Sequence, residues 1–252
     1  MRWLERFGNF AYFALRALAA APGALARPRV LFVQLYNVLI GAMPLGVVAG
    51  LAVGAVVWMH LRGSVETFAG REAVPLLPRA LALAVVLEFA PIVAGLMAAG
   101  RTGASLGAEL GSMRLTEQID ALEVLGLSPV QWLVAPRVLA CMLALPLLTV
   151  FIAYLGVLSG FLAEMAGGGS LTWTQYHTAC LRDLTVRNVV PATLKTVVFG
   201  YLIGVTGCYF GMQAAGGTEG VGRAATRSVV TSIFLVLVAD VLLVRAIQVM
   251  IG

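Results

Sequence analysis

The sequence predicts an all-α integral membrane protein, with an N-terminal amphipathic interfacial helix, five transmembrane helices and a short cytoplasmic helix between spans two and three. Three observations lead there. Hydrophobic residues make up 60% of the 252-residue chain and charged residues only 12%, against about 25% charged in an ordinary soluble domain. Mean hydropathy is +0.95. Five apolar stretches, about 35–61, 76–99, 138–166, 189–215 and 229–251, reach the roughly 20 helical residues that cross a hydrocarbon core of about 30 Å.

Residues 1–30 precede the first span. Their start is basic, but no short apolar region ends in a small-residue cleavage site, so no removable signal peptide is expected. At 100° per residue Trp3, Phe7, Phe10, Ala14, Ala17 and Leu18 share one face, with Arg2, Glu5, Asn9 and Arg16 roughly opposite. Such a helix suits the membrane surface; the alternative is an ordinary helix packed on the bundle. "APGALARP" breaks it, and residues 31–252 read as one membrane domain.

Arginines set the orientation. With the N-terminus cytoplasmic, Arg2, Arg6, Arg16, Arg27, Arg29, Arg101, Arg114, Arg137, Arg223 and Arg227 face the cytoplasm, and Arg62, Arg71, Arg79, Arg182 and Arg187 face the other side. Ten against five favours N-in and C-out. The net charge of +5 then reflects topology and supports no nucleic-acid partner. Cys141, Cys180 and Cys208 have no CxxC spacing and read as small apolar residues, without disulfide or zinc site.

The external segments are Arg62 to Pro75, short and polar, and Gly167 to Asn188, where Trp173 and Tyr176 are expected at the interface. "AAGGTEGVGRAATRS" reads as a second cytoplasmic loop, because GGTEGVG fails the GxGxxG spacing and follows no strand. Pro91, Pro146 and Gly95 are expected to make spans two and three locally irregular.

Between spans two and three lies "GRTGASLGAELGSMRLTEQIDALEVLG", Gly100 to Gly126. "GASLG" matches the GxSxG elbow around a nucleophilic serine. Ser105 would need a base within hydrogen-bond reach, but His60 and His177 fall on the external side. Gly100, Gly103, Gly107 and Gly111 instead recur as a smooth packing face. From Arg114 onward Leu115, Ile119, Leu122 and Gly126 share one stripe and Glu117, Asp120 and Glu123 another, with "GLSP" as the stop. A short helix of this kind fits a groove on another protein, its acids selecting a basic rim; a solvated charged face is the plainer alternative.

"QLYNV", "GRTGAS", "AELGSM", "TEQIDALEVLG", "PRVLA", "LPLLTVF", "LKTVVFG" and "RAATRSVV", in that order, closely resemble the MlaE/YrbE family, the permeases of ABC systems that work with MCE proteins to move lipids. The resemblance covers most of residues 34 to 245 and makes 31–252 an MlaE-type permease domain with its coupling region at 101–137. It implies a homodimer in a bacterial inner membrane, each subunit gripping a cytoplasmic ABC ATPase through the helix between spans two and three. Glu109, Arg114, Glu117, Asp120 and Glu123 are the coupling candidates. It also implies a periplasmic MCE protein, a small STAS-domain regulator and membrane lipids as partners. No cofactor is expected on this chain, ATP and magnesium belonging to the ATPase; no GxxxxGK[ST] occurs. A non-transporting scaffold that anchors an ATPase and an MCE ring is the alternative function.

Charges inside spans are costly and are site candidates by default. Glu88 and Asp240 fall about 18 Å along their spans, and Lys195 about 9 Å from the external end of the fourth. The three are lipid-cavity candidates forming one polar network, with a salt bridge that only fixes packing as the alternative. Arg245 would snorkel to the interface. The chain departs from the family pattern at Leu87, where members commonly carry arginine, at Phe89 and Ala90, where Leu-Gly is frequent, and at Val33, where arginine is frequent.

Overall fold

The computed structural model describes residues 2–68, 71–169 and 171–251. Among them are ten α-helices and no strand: α1 (Arg2–Ala20), α2 (Pro28–Phe68), α3 (Leu77–Ala84), α4 (Ala90–Ala98), α5 (Ala104–Leu115), α6 (Gln118–Val124), α7 (Ala135–Ala166), α8 (Trp173–Leu181), α9 (Val186–Met212) and α10 (Gly217–Ile251). Five helical runs are long and apolar enough to cross a membrane: Pro28–Val65, Val74–Leu115, Val130–Ala166, Val186–Met212 and Gly217–Val249.

The number of spans is the expected one, but the ends differ. The second run continues to Leu115, well past residue 99, and the last starts at Gly217 instead of 229. Hydropathy marks where apolar side chains stop, whereas backbone hydrogen bonding continues through polar residues that favour helix. "AAGGTEGVGRAATRS" is therefore largely helical, supported by the Arg223–Glu219 pair at 2.7 Å one turn apart. Gly216 and Gly217, at φ 90 and 73, make the turn before it, which a side chain would strain.

The second and third spans contain π-helical turns at Val85–Phe89, Ala99–Gly103 and Val130–Val134. Two of them immediately precede a proline region, Pro91 and Pro136. Proline lacks an N–H and its ring crowds the carbonyl four residues back. The wider turn accommodates this, the Ala90 and Ala135 N–H groups reaching back to the Val85 and Val130 carbonyls. Pro146 sits within a continuous α7. Gly95 serves close packing, since a Cβ there would lie 2.9 Å from Val236 Cγ1.

The chain divides into two compact units, and each long helix contributes residues to both. Unit one comprises Met1–Ala42, Gly95–Leu145 and Val197–Leu243. Small residues hold it together. A Cβ on Gly207 would sit 2.8 Å from Leu106 Cβ, one on Gly211 2.7 Å from Leu110 Cβ, and one on Gly107 3.1 Å from Ala225 Cα. The Ser228 hydroxyl donates to the Gly103 carbonyl at 2.8 Å. The expected glycine face is thus used at Gly103, Gly107 and Gly111, while Gly100 meets nothing. Phe10, Phe13, Ala14 and Ala17 of α1 pack on this core, with the Phe10 ring edge-on to Tyr209 and the Tyr201 hydroxyl donating to the Ala14 carbonyl. Phe7 and Leu18, expected on the same face, are exposed with Leu4 and Leu15. One side of α1 packs on protein and another is free for lipid; the Arg2 and Trp3 side chains lie outside the described residues.

Unit two comprises Met43–Ala94, Pro146–Thr196 and Val244–Gly252. Its core gathers Trp58, Leu77, Leu81, Val85, Tyr176 and Cys180. A Cβ on Gly54 would collide with the Gly156 carbonyl and the Ser159 hydroxyl, so α2 and α7 touch backbone to backbone. The external segment carries α8, opened by a capping box between Thr172 and Gln175. Tyr176 is not interfacial: it is fully buried and donates to the Val157 carbonyl at 2.8 Å, whereas Trp173 is half-exposed. Tyr176 and Cys180, one turn apart, form the buried face of α8.

Candidate functional site

Glu88 and Lys195 meet inside unit two. Glu88 rides on the π-helical turn that Pro91 enforces, and Lys195 projects from α9. The Lys195 ammonium donates to Glu88 Oε2 at 2.8 Å. The lysine side chain is 1% exposed and the carboxylate 44%. The pair is therefore lopsided: a hidden cation holds an anion that faces outward. Beside them lies a cavity of about 170 Å³, lined also by Leu87, Asn188, Ala192, Val244, Ile247 and Gln248. Its wall is aliphatic with amide donors and acceptors, a surface able to take an amphipathic molecule.

Asp240, the third expected member, belongs to unit one and is buried on α10. Of the expected three-residue network, the Glu88–Lys195 pair is seen directly within unit two. Leu87, in place of a commonly found arginine, lines the cavity with its apolar side chain.

The coupling candidates lie in unit one. The helix does not run unbroken from Arg114; it stops at Leu115 and resumes as the seven-residue α6. Glu117 makes the break in a left-handed conformation, φ 58 and ψ 14, unusual for a residue with a side chain. Arg114 closes the corner by an ion pair with Asp120. Ile119 is buried, pinning α6, while Glu117, Glu123, Val124 and Leu125 are exposed, Val124 at 88%. The expected apolar stripe thus faces the protein at Ile119, and the outward apolar surface is supplied by Leu115, Val124 and Leu125.

Glu109 is not part of that rim. It accepts from Arg137 at 2.6 Å, and Arg137, 7% exposed, donates also to the Leu133 carbonyl at 2.8 Å. Sequence reasoning counted Arg137 only as a topology charge; its place just inside the apolar start of span three was the available signal. Arg62 and Glu164 form a further ion pair in unit two that hydropathy did not suggest, with Glu164 fully buried.

Ser105 lies within α5, an unbroken helix, and lacks the strained strand-to-helix turn of a nucleophile elbow. His60 Nδ1 bonds with the Val56 carbonyl at 2.9 Å and His177 packs on Trp173, both in unit two, whereas Ser105 is in unit one.

A helical membrane chain with a paired charge inside its spans and an acid-rimmed corner between the second and third spans matches the family model described as Permease MlaE over residues 31–246. The chain belongs to the MlaE permease family. It is 31% identical over 243 residues to a probable ABC transporter permease protein of Rickettsia typhi, covering 96% of this chain and 92% of that one. A probable ABC transporter permease protein of Synechocystis is 35% identical over 160 residues, 64% of this chain and 60% of that one. The Arabidopsis thaliana chloroplast protein named TRIGALACTOSYLDIACYLGLYCEROL 1 is 39% identical over 163 residues, 65% of this chain and 46% of that protein. The molecule is thus a multi-pass ABC transporter permease, a class of subunit that works with an ATPase partner.

Proposed function

We propose that this MlaE-family permease moves lipids, phospholipids among them, between a bacterial inner membrane and a periplasmic MCE partner, as a homodimer driven by a cytoplasmic ABC ATPase. One observation carries the reading: the outward-facing Glu88 held by buried Lys195 beside an aliphatic cavity in the membrane-spanning part of the chain. Charges inside spans are costly and mark functional sites by default, and a half-exposed carboxylate suits a polar headgroup while the aliphatic wall suits acyl chains. The relative named for a galactosylated diacylglycerol adds support for a glycerolipid cargo. Exposed Val124 and Leu125, flanked by Glu117 and Glu123, offer the ATPase apolar anchors with an acidic rim. Its closure would push on α6 and, through the Arg114–Asp120 corner, on the second span. ATP, magnesium and hydrolysis belong to that partner, and a STAS-domain regulator would act through it. The N-terminus is cytoplasmic and the C-terminus periplasmic.

The test is reconstitution. The complex in liposomes should transfer fluorescent phospholipid only with ATP, and Glu88→Ala combined with Asp240→Ala should lower the rate by about tenfold or more, the effect of losing one charge-assisted contact. Unchanged transfer in that double variant overturns the cavity assignment. Assembly without any ATP-dependent transfer by the unaltered complex would make the chain a scaffold instead.

A further inference from the structure

Unit one carries a second cavity, of about 380 Å³, lined by Gln34, Asn37 and Gly41 of α2 and by Arg101, Ser105 and Glu109 of the second span. Apart from Glu109, none of its lining residues is a transport or coupling candidate above. Its charges are unevenly matched. Glu109 is held by Arg137 at 2.6 Å. Arg101 makes no ion pair among the described residues, and its hydrogen bond is a long one, 3.5 Å from Nη1 to the Asn37 carbonyl. Arg101 is exposed, yet its guanidinium occupies the space that a side chain on Gly41 would fill. The absent Cβ leaves room for the guanidinium beside α2, where it makes only that one long bond among the described residues.

The depth of the cavity is informative. Just before Arg101 the second span is apolar and buried at Ala98 and Ala99, and Gln34 and Asn37 are polar breaks in an α2 that is apolar on either side, at Phe32, Val33, Val38 and Leu39. The second span thus changes from apolar to polar at Arg101, beside the polar positions of α2 that line the same cavity, as expected toward the headgroup level of a span. Exposed Tyr36 lies beside it, the residue type enriched at that level. A seated guanidinium with free donors at this depth calls for an anion, and its fork matches the paired oxygens of phosphate. Gln34 and Ser105 add neutral donors.

We propose that this cavity binds a phosphate group through Arg101, carried by a phospholipid headgroup or free in solution, with the exposed Ile40 offering a track for acyl chains in the first case. The site does not depend on the transport reading, since a permease of any cargo meets headgroups here. The full chain, purified in a maltoside detergent, would be titrated calorimetrically with short-chain phosphatidylglycerol, with the matching diacylglycerol and with inorganic phosphate. Arg101→Gln removes the fork; Gln34→Glu leaves it and adds a repelling carboxylate at a half-buried position that tolerates it. The unaltered chain should bind phosphatidylglycerol at least about tenfold more tightly than either variant, with diacylglycerol binding the same in all three. Inorganic phosphate bound as tightly as the lipid, and lost in the same variants, would support the phosphate site and assign it to free phosphate. Phosphatidylglycerol and phosphate binding equally to all three proteins, or to none, would overturn it. If Arg101→Gln fails to fold, Gln34→Glu alone decides.

Discussion

Arg137 and Glu109 show how burial sets the weight of a single side chain. The guanidinium is 7% exposed and its carboxylate 46%, so the two partners are not equivalent. Glu109→Gln leaves a buried cation with one carbonyl; after discounting for the half-exposed partner, the expected loss is about 1–2 kcal/mol. Arg137→Met removes the buried charge and lets Glu109 hydrate, so its cost should be smaller. Thermal unfolding in detergent should rank Glu109→Gln below Arg137→Met, and the reverse order would refute the assignment. Cys180 offers a pH test. Burial of its thiol, which donates to the Pro78 carbonyl at 3.3 Å, raises its pKa from 9.0 to about 11. A raised pKa keeps the thiol protonated, so its thiolate is scarcer than a free cysteine's at any pH below that value. Maleimide labelling of Cys180 at pH 8 should be at least about tenfold slower than for free cysteine and rise toward pH 11. Labelling already complete at pH 8 would show the thiol to be open. These roles were half legible: Glu88 and Lys195 announced themselves as charges in apolar runs, whereas Arg137 was hidden by its position at a span end and Cys180 by the unforeseen α8.

At the scale of elements, the corner at Glu117 is the feature that matters. Uninterrupted helix from Arg114 would place Ile119 and Leu122 on one outward stripe; the left-handed residue redirects the chain, so Ile119 turns inward and Val124 and Leu125 become the outward apolar surface. If the ATPase docks there, Val124→Glu and Leu125→Glu should leave the permease folded, because both side chains are already in solvent. Each should weaken co-purification of the ATPase by about tenfold, as loss of an interface anchor does. Full retention in the double variant would exclude this surface. Helicity, span count and the stop at "GLSP" were readable from pattern. The break was not, because nothing in "RLTEQI" marks a left-handed glutamate; it is imposed by the burial of Ile119 and the Arg114–Asp120 pair.

At the scale of the whole molecule, the proposed orientation, N-terminus cytoplasmic and C-terminus outside, rests on ten arginines assigned to one side against five on the other. A C-terminal alkaline phosphatase fusion should therefore be active and the matching green fluorescent protein fusion dark; the opposite pattern would invert every cytoplasmic and periplasmic assignment made above. The sequence by itself determined the membrane class, the five spans, the ordered motifs of the MlaE permease family and the positions of charges within apolar runs, because each depends on composition or spacing along the chain. Only the tertiary structure decided which charges meet. It paired Glu88 with Lys195 and Glu109 with Arg137, and seated Arg101 against Gly41. Hydropathy is a one-dimensional quantity, blind to helix rotation and to contacts between residues about a hundred positions apart. Those depend on where glycines let backbones approach and where prolines widen a turn.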